Sequence, residues 1–137
     1  MLKRLTAAAL LIAGVATTAA AQEVTLKVHH FLPPQAPVPK NFITPWAEKI
    51  TADSGGRIKV EIYPAMQLGG KPPALYDQAK DGVVDIVWTL AGYTPGRFPM
   101  AEVFEMPFLP ASGEATSQAA WDLYENHMQK EFADVHV

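Results

Sequence analysis

The sequence contains no cysteine. This absence excludes disulfide bridges, zinc–thiolate sites and a cysteine nucleophile. A domain without these constraints must be stabilised by packing alone. Its 49% of hydrophobic residues and 18% of charged residues are ordinary for a globular chain. We therefore expect a folded domain rather than a disordered segment.

The sequence also has little excess charge and no basic cluster beyond its first residues. It has 11 Lys and Arg against 14 Asp and Glu, a formal net charge of −3. Nucleic-acid-binding domains and polybasic membrane-binding segments concentrate Lys and Arg on one surface, so neither partner is expected. The G-x-S-x-G, Walker and H-E-x-x-H motifs are absent as well, which disfavours the enzymes that depend on them.

The longest apolar stretch stands at the N-terminus. Met1–Arg4 is a short cationic start, and an apolar run follows over residues 5–15. This run is shorter than the roughly 20 residues that cross a bilayer, and small residues follow it up to Ala19-x-Ala21. The pattern predicts a signal peptide over residues 1–21 that is cleaved before Gln22. We expect a periplasmic mature protein, residues 22–137, with no membrane-inserted segment.

Three segments after the signal have the patterns of β-strands. Val24–His30 alternates apolar and polar residues at first, and Pro33-Pro34 ends it. Arg57–Tyr63 alternates strictly and predicts a second strand. Val83–Trp88 is a mostly apolar run rich in β-branched residues, which predicts a third strand that is covered on both faces.

Three helices are predicted between and after these strands. The first runs from about Pro39 to Ser54, and the second from Pro72 or Pro73 to Gly82, with Leu75 and Ala79 facing inward. The third runs from Ser112, a plausible N-cap, to about Asp134. The apolar stripe of the first helix comprises Phe42, Ile43, Trp46, Ala47 and Ile50. The stripe of the third comprises Ala119, Ala120, Leu123, Tyr124, His127, Met128 and Phe132.

This order of elements predicts a fold class. A strand-helix-strand-helix-strand alternation implies right-handed crossovers and a parallel sheet, hence an α/β fold. Residues 135–137 have the pattern of a strand that is just beginning. We therefore expect the domain to continue beyond Val137, with the 137 residues forming the front part of a longer protein.

The loops after the three strands are the expected binding region. In an open parallel sheet, ligands bind outside the carboxyl ends of the strands, where the loops diverge. These loops span residues 29–34, 64–70 and 89–94, and their side chains are mainly aromatic, aliphatic and amide. Such a lining suits binding better than catalysis. Trp88, at the end of the third strand, either seals the core or stacks on a ligand, whereas Trp46 is expected in the core.

Several polar residues admit more than one interpretation. His29-His30 could bind a metal ion, but neighbours in a strand point to opposite faces, so no metal site is expected. Glu102 and Glu105 could form an acid–base pair, although solvated or interfacial roles are favoured. Arg97 could clamp an anion or stack on the neighbouring rings of Tyr93 and Phe98, or could be an ordinary surface arginine.

The loops and strands together resemble a known family. The segment Ile62–Gly70, with Y-P-A-M-Q-L-G-G, and Lys80–Trp88, with D-G-V-V-D-I-V-W, are similar to the hallmark of the solute-binding proteins of tripartite ATP-independent periplasmic (TRAP) transporters, the DctP family. Val103–Leu109 is similar to the F-x-x-P-F-L segment of that family. The resemblance covers essentially all of residues 24–109.

The resemblance implies a fold and a function. It implies a type II periplasmic-binding-protein clamshell of two domains, with residues 22–137 as the N-terminal part of the first. It also implies capture of a small organic acid, possibly bulky or aromatic, for delivery to the membrane permease subunits, without catalysis or a cofactor. The arginine that binds the ligand carboxylate in this family would lie beyond Val137.

The resemblance and the loop positions give a set of candidate ligand-binding residues. Four match positions that line the pockets of relatives, and a fifth lies in the loop after the third strand: Phe31, Trp88, Thr89 and Leu90, with Tyr93. The alternatives are a solute-binding protein of another importer or of a sensor, which would differ mainly in the Q-L-G and P-F-L segments, and an exported α/β hydrolase.

Overall fold

The structure, a computed structural model, describes residues 23–109 and 112–137. The predicted signal peptide, residues 1–21, and its cleavage site lie outside these residues. The strands and α-helices in chain order are β1 (Val24–His30), α1 (Thr44–Asp53), β2 (Ile58–Tyr63), α2 (Leu75–Lys80), β3 (Ile86–Trp88) and α3 (Gly113–Leu123). A π-helical turn, Pro39–Ile43, precedes α1. Single 3-10 turns span Pro72–Ala74, Ala91–Tyr93 and Ala101–Glu105, and helical turns continue α3 to Phe132.

The three strands form one parallel sheet in the order β2-β1-β3. Val28 of the central strand lies opposite Ile62 of β2 and Ile86 of β3. The predicted α/β class and the parallel sheet are therefore confirmed. Because the strands are parallel, their carboxyl ends meet at one edge, and the three loops predicted to bind ligand emerge there.

Helices α1 and α2 cover opposite faces of this sheet. Val28 shares a face of the sheet with Ile62 and Ile86. Helix α1 and the turn before it pack on this face, where Ile43 and Ala47 are buried. His29 points to the other face, where it contacts Gln78 of α2. Because successive strand residues alternate between faces, β1 contributes to the packing on both.

The third strand is shorter than predicted. Val83 and Val84 do not join the sheet, because their amides donate to the carbonyl of Gln78 at 2.9 and 3.3 Å and so complete the C-terminal turn of α2. Val83 is consequently 56% exposed. Pairing with β1 begins at Asp85, whose amide donates to the Lys27 carbonyl at 3.1 Å and whose carboxylate accepts from the Lys27 amide at 2.8 Å.

The apolar stripe before and along α1 is narrower than predicted. Ile43 and Ala47 are buried at 3% and 6% exposure, and Trp46 is half-buried beside them. Phe42 is 61% exposed, so it is not buried as predicted, although it lines a cavity with Val28, Ile86 and Trp88. Neighbours on a helix are turned by about 100°, so Ile43 is enclosed while Phe42 remains largely open to solvent.

The C-terminal helix begins where predicted, but not all residues of its predicted apolar stripe are buried. The Ser112 hydroxyl accepts a hydrogen bond from the Ala115 amide at 3.2 Å, as an N-cap does. Met128 is buried, and the ring of Phe132 stacks on the buried Phe98 at 4.8 Å. Ala119 and His127 are exposed, so their predicted inward positions are wrong, and residues 135–137 do not form a strand.

None of the helices within residues 23–109 and 112–137 is both long enough and apolar enough to cross a membrane.

Candidate ligand-binding site

Three aromatic rings meet at the carboxyl edge of the sheet. Phe31 follows β1, Trp88 ends β3, and Tyr93 ends the 3-10 turn of the next loop. The Phe31 and Trp88 ring centroids are 5.3 Å apart, and the Phe31 and Tyr93 centroids are 5.0 Å apart in an edge-to-face arrangement. All three side chains are half-buried. This aromatic cluster therefore keeps ring surface available to a ligand.

Thr89 and Leu90 connect two members of the aromatic cluster. Thr89 is half-buried and Leu90 is 41% exposed. The Leu90 carbonyl accepts a hydrogen bond from the Tyr93 amide at 3.2 Å, which closes the 3-10 turn. The structure therefore brings three of the five candidate residues into ring contact and places the other two on the chain between Trp88 and Tyr93.

The loop after β2 is fastened to the loop after β1. The Ala65 amide donates to the Leu32 carbonyl at 3.0 Å, and the Met66 amide donates to the His30 carbonyl at 3.1 Å. Ala65 and Met66 have φ values of 50° and 59°, a conformation that costs a non-glycine residue about 1–3 kcal/mol. The two hydrogen bonds hold this strained turn beside the aromatic cluster.

His29 connects that same loop to helix α2. Its Nδ1 lies 2.6 Å from the side-chain oxygen of Gln78, and the Leu68 amide donates to its Nε2 at 3.4 Å. Because Nδ1 faces an oxygen and Nε2 accepts from an amide, these contacts place the His29 proton on Nδ1. The side-chain amide of Gln78 also donates to the Gly69 carbonyl at 3.1 Å. His29 thus has a structural role, and the described residues include no group of three or more His, Asp or Glu that could hold a metal ion.

His30 points to the opposite face, as expected for strand neighbours. It is fully buried, and neither ring nitrogen has a hydrogen-bond partner among the residues that the structure describes. Burial lowers the pKa of His30, the neighbouring His29 lowers it further, and the backbone of Leu32 opposes this shift. His30 is therefore neutral at neutral pH.

Arg97 is already paired with a carboxylate. Its guanidinium lies 2.9 Å from Asp77 of α2 and 4.2 Å above the Tyr76 ring, with the Phe98 ring centroid at 5.5 Å. The Arg97 hydrogen bond holds the pKa of Asp77 below its ordinary value. The stacking interpretation is confirmed for Phe98, but Tyr76 takes the place of Tyr93. Because Asp77 compensates its charge, Arg97 is poorly suited to clamp a ligand anion.

Glu102 and Glu105 bind backbone amides rather than each other. Glu105 accepts from the Gly92 amide at 2.7 Å, and Glu102 accepts from the Gly96 amide at 2.7 Å. The acid–base pair is therefore not formed. Sequence reasoning missed these contacts, since no periodic pattern links a 3-10 turn to amides in the preceding loop.

Comparison with protein families identifies the chain. Residues 28–136 match the model of the bacterial extracellular solute-binding proteins, family 7. The chain belongs to this family. The sequence-based resemblance to the DctP family is thereby confirmed, and the TRAP solute-binding proteins among the solved structures share its fold.

Two solved relatives were determined with bound aromatic acids. A marine metagenome TRAP solute-binding protein specific for aromatic acid ligands, in complex with metahydroxyphenylacetate, is 61% identical with a TM-score of 0.79. The match covers 82% of this chain and 35% of that one. A protein from Rhodoferax ferrireducens T118 in complex with copurified benzoate is 56% identical with a TM-score of 0.77, over 80% and 34% of the two chains.

A curated relative extends the match along nearly the whole sequence. It is the outer membrane transporter protein TsaT of Comamonas testosteroni, 32% identical over 98% of this chain and 40% of its own length. The chain thus spans 40% of this relative and about a third of the solved ones.

Proposed function

We propose that the chain is the front part of a periplasmic solute-binding protein that captures an aromatic carboxylate and delivers it to a TRAP-type permease. In this proposal residues 1–21 are a signal peptide cleaved after Ala21. Residues 22–137 belong to the first of two domains that close on the ligand, and the protein has no catalytic activity.

The aromatic cluster is the observation that carries this proposal. An aromatic ring between two domains gains stability from apolar burial and from offset or edge-to-face ring contacts, each worth about 0.5–1.5 kcal/mol beyond burial. Phe31, Trp88 and Tyr93 offer such contacts at the edge where α/β folds bind ligands. The structures of relatives that are 61% and 56% identical contain metahydroxyphenylacetate and copurified benzoate.

The carboxylate of the ligand needs a cationic partner. Its desolvation is costly unless a charge-assisted hydrogen bond replaces water. Arg97 is paired with Asp77, and Arg57 lies before β2, at the opposite end of the strand from the carboxyl edge. The resemblance to the DctP family implies that this partner is an arginine beyond Val137, and we assign the carboxylate to it.

Calorimetric titration of the full-length protein, the gene product that begins with this sequence, tests the proposal. Benzoate and metahydroxyphenylacetate are titrated beside cyclohexanecarboxylate and succinate, and ligand carried through purification is identified by mass spectrometry. The two aromatic acids should bind at least about tenfold more tightly, a difference of about 1.4 kcal/mol. Equal affinity for cyclohexanecarboxylate, or no aromatic-acid binding, would refute it.

Trp88 gives a second measure of the same site. Binding should change tryptophan fluorescence in the wild-type protein and in the control Trp121→Phe, since Trp121 lies on α3 and is 51% exposed. The change should be lost or strongly altered in Trp88→Phe. If it persists unaltered there, Trp88 does not line the pocket.

A further inference from the structure

The loop that carries Tyr93 is held by carboxylates of a later turn. Glu105 accepts from the Gly92 amide and Glu102 accepts from the Gly96 amide, both at 2.7 Å. Hydrogen bonds from backbone amides to an ionised carboxylate are about twice as strong as neutral ones. The two contacts therefore fix the loop on either side of Tyr93.

The contact between Gly92 and Glu105 requires glycine at position 92. Gly92 does not have a positive φ, so its backbone conformation does not require glycine. A Cβ atom on residue 92 would overlap the carboxylate of Glu105. Glycine is needed here because another side chain approaches so closely, and any larger residue would displace Glu105 or the turn.

The turn that carries these glutamates is itself anchored. The carboxylate of Glu131 accepts from the Met100 amide at 2.9 Å and from the Ala101 amide at 3.4 Å. These amides stand at the start of the 3-10 turn Ala101–Glu105. A connection therefore runs from the C-terminal helical segment through this turn to Gly92, next to Tyr93.

We propose that Glu105 is a positioning residue for the ligand site. Its carboxylate holds the 3-10 turn Ala91–Tyr93, so that Tyr93 stays edge-on against Phe31 with a centroid distance of 5.0 Å. Glu105 sets the shape of the aromatic wall through the Gly92 amide and does not contact the ligand. This inference rests on the proposed function, since it assigns Glu105 to the same site.

The test compares two independent ways of breaking one contact. Glu105→Ala removes the acceptor, Gly92→Ala expels it by steric overlap, and Glu105→Gln keeps an oxygen that can accept. Glu48→Ala is the control, because Glu48 is exposed on α1 and its side chain has no hydrogen bond or ion pair to any residue that the structure describes. The full-length protein is labelled with 3-fluorotyrosine, and Tyr93→Phe assigns the fluorine resonance of Tyr93.

Two readings are made on each variant: the Tyr93 resonance without ligand, and the affinity for benzoate. Glu105→Ala and Gly92→Ala should both shift or broaden the resonance and weaken binding about tenfold, a loss typical of one hydrogen bond to a charged group. Glu105→Gln should bind within about threefold of the wild type, and Glu48→Ala should match it.

Two results would overturn the inference. One is an unchanged Tyr93 resonance in Glu105→Ala and Gly92→Ala. The other is an affinity within about twofold of the wild type although the resonance has moved. If the wild-type protein binds no aromatic acid, the proposed function fails instead, and the resonance of the ligand-free variants still decides whether Glu105 positions Tyr93.

Discussion

The imidazole Nδ1 of His29 lies 2.6 Å from the side-chain oxygen of Gln78. The contact joins the central strand to helix α2, and Gln78 also donates to the Gly69 carbonyl at 3.1 Å. One side chain therefore links β1, α2 and the loop after β2. At the carboxyl edge of the sheet, where the candidate ligand-binding loops lie, this polar connection adds to the apolar packing.

Replacement of Gln78 should destabilise the protein. Gln78→Ala leaves Nδ1 of the fully buried His29 without its partner, and an unsatisfied buried donor costs about 1–3 kcal/mol. Chemical denaturation of the full-length protein measures this loss. Gln118→Ala, on the exposed surface of α3, is the matched control and should change the free energy of unfolding by less than about 0.5 kcal/mol. Equal values for the two variants would contradict the structural role of Gln78.

His30 should make the protein sensitive to mild acid. Because its pKa is lowered in the folded state, the unfolded chain takes up a proton first as the pH falls through 6.5. Stability conferred by the neutral form is therefore complete above pH 6.5 and is lost from there down to the folded-state pKa. His30→Phe should flatten the dependence of the unfolding free energy on pH in this window.

The control for this measurement is His127→Phe, since His127 is exposed. It removes one histidine without removing a buried one, and should leave the pH dependence of the wild type intact. If the His30→Phe and wild-type proteins lose stability in parallel between pH 7.5 and 5, burial of His30 is not the cause.

The positions of the aromatic cluster could be predicted, but its contacts could not. Phe31 and Trp88 stand where two predicted parallel strands end, and the resemblance to the DctP family implies that both match positions that line the pockets of relatives. The distance from Phe31 to Tyr93 depends on the conformation of the loop after β3, whose sequence shows no regular spacing of apolar residues. Its anchor, the hydrogen bond from Gly92 to Glu105, joins residues thirteen apart, and nothing in the local pattern marks it.

The errors in the predicted elements have a similar origin. Val83 and Val84 have a high propensity for strands. Their amides nevertheless donate to the Gln78 carbonyl at the end of α2, so they do not pair with β1. Phe42 is as apolar as Ile43, and only the orientation of the helix on the sheet decides which of them is buried. Local hydrophobicity gives the type of an element more reliably than its ends or its rotation.

Residues 22–137 on their own should fold poorly. Four apolar side chains of the segment after the aromatic cluster remain exposed, at 40% for Val103, 57% for Met106, 103% for Phe108 and 52% for Leu109. Backbone ordering costs about 1–2 kcal/mol per residue and must be offset by burial. Circular dichroism should show a broad thermal transition, whereas the full-length protein should unfold sharply. A sharp two-state transition of the shorter chain would contradict this.

A crystal structure of the full-length protein with metahydroxyphenylacetate tests the central claim most directly. The account predicts the ligand ring at about 4.5–7 Å, between centroids, from the rings of Phe31, Trp88 or Tyr93. Its carboxylate should be paired with an arginine beyond Val137. A ligand ring bound away from all three aromatic residues, or a carboxylate held by Arg97 in place of Asp77, would contradict the account.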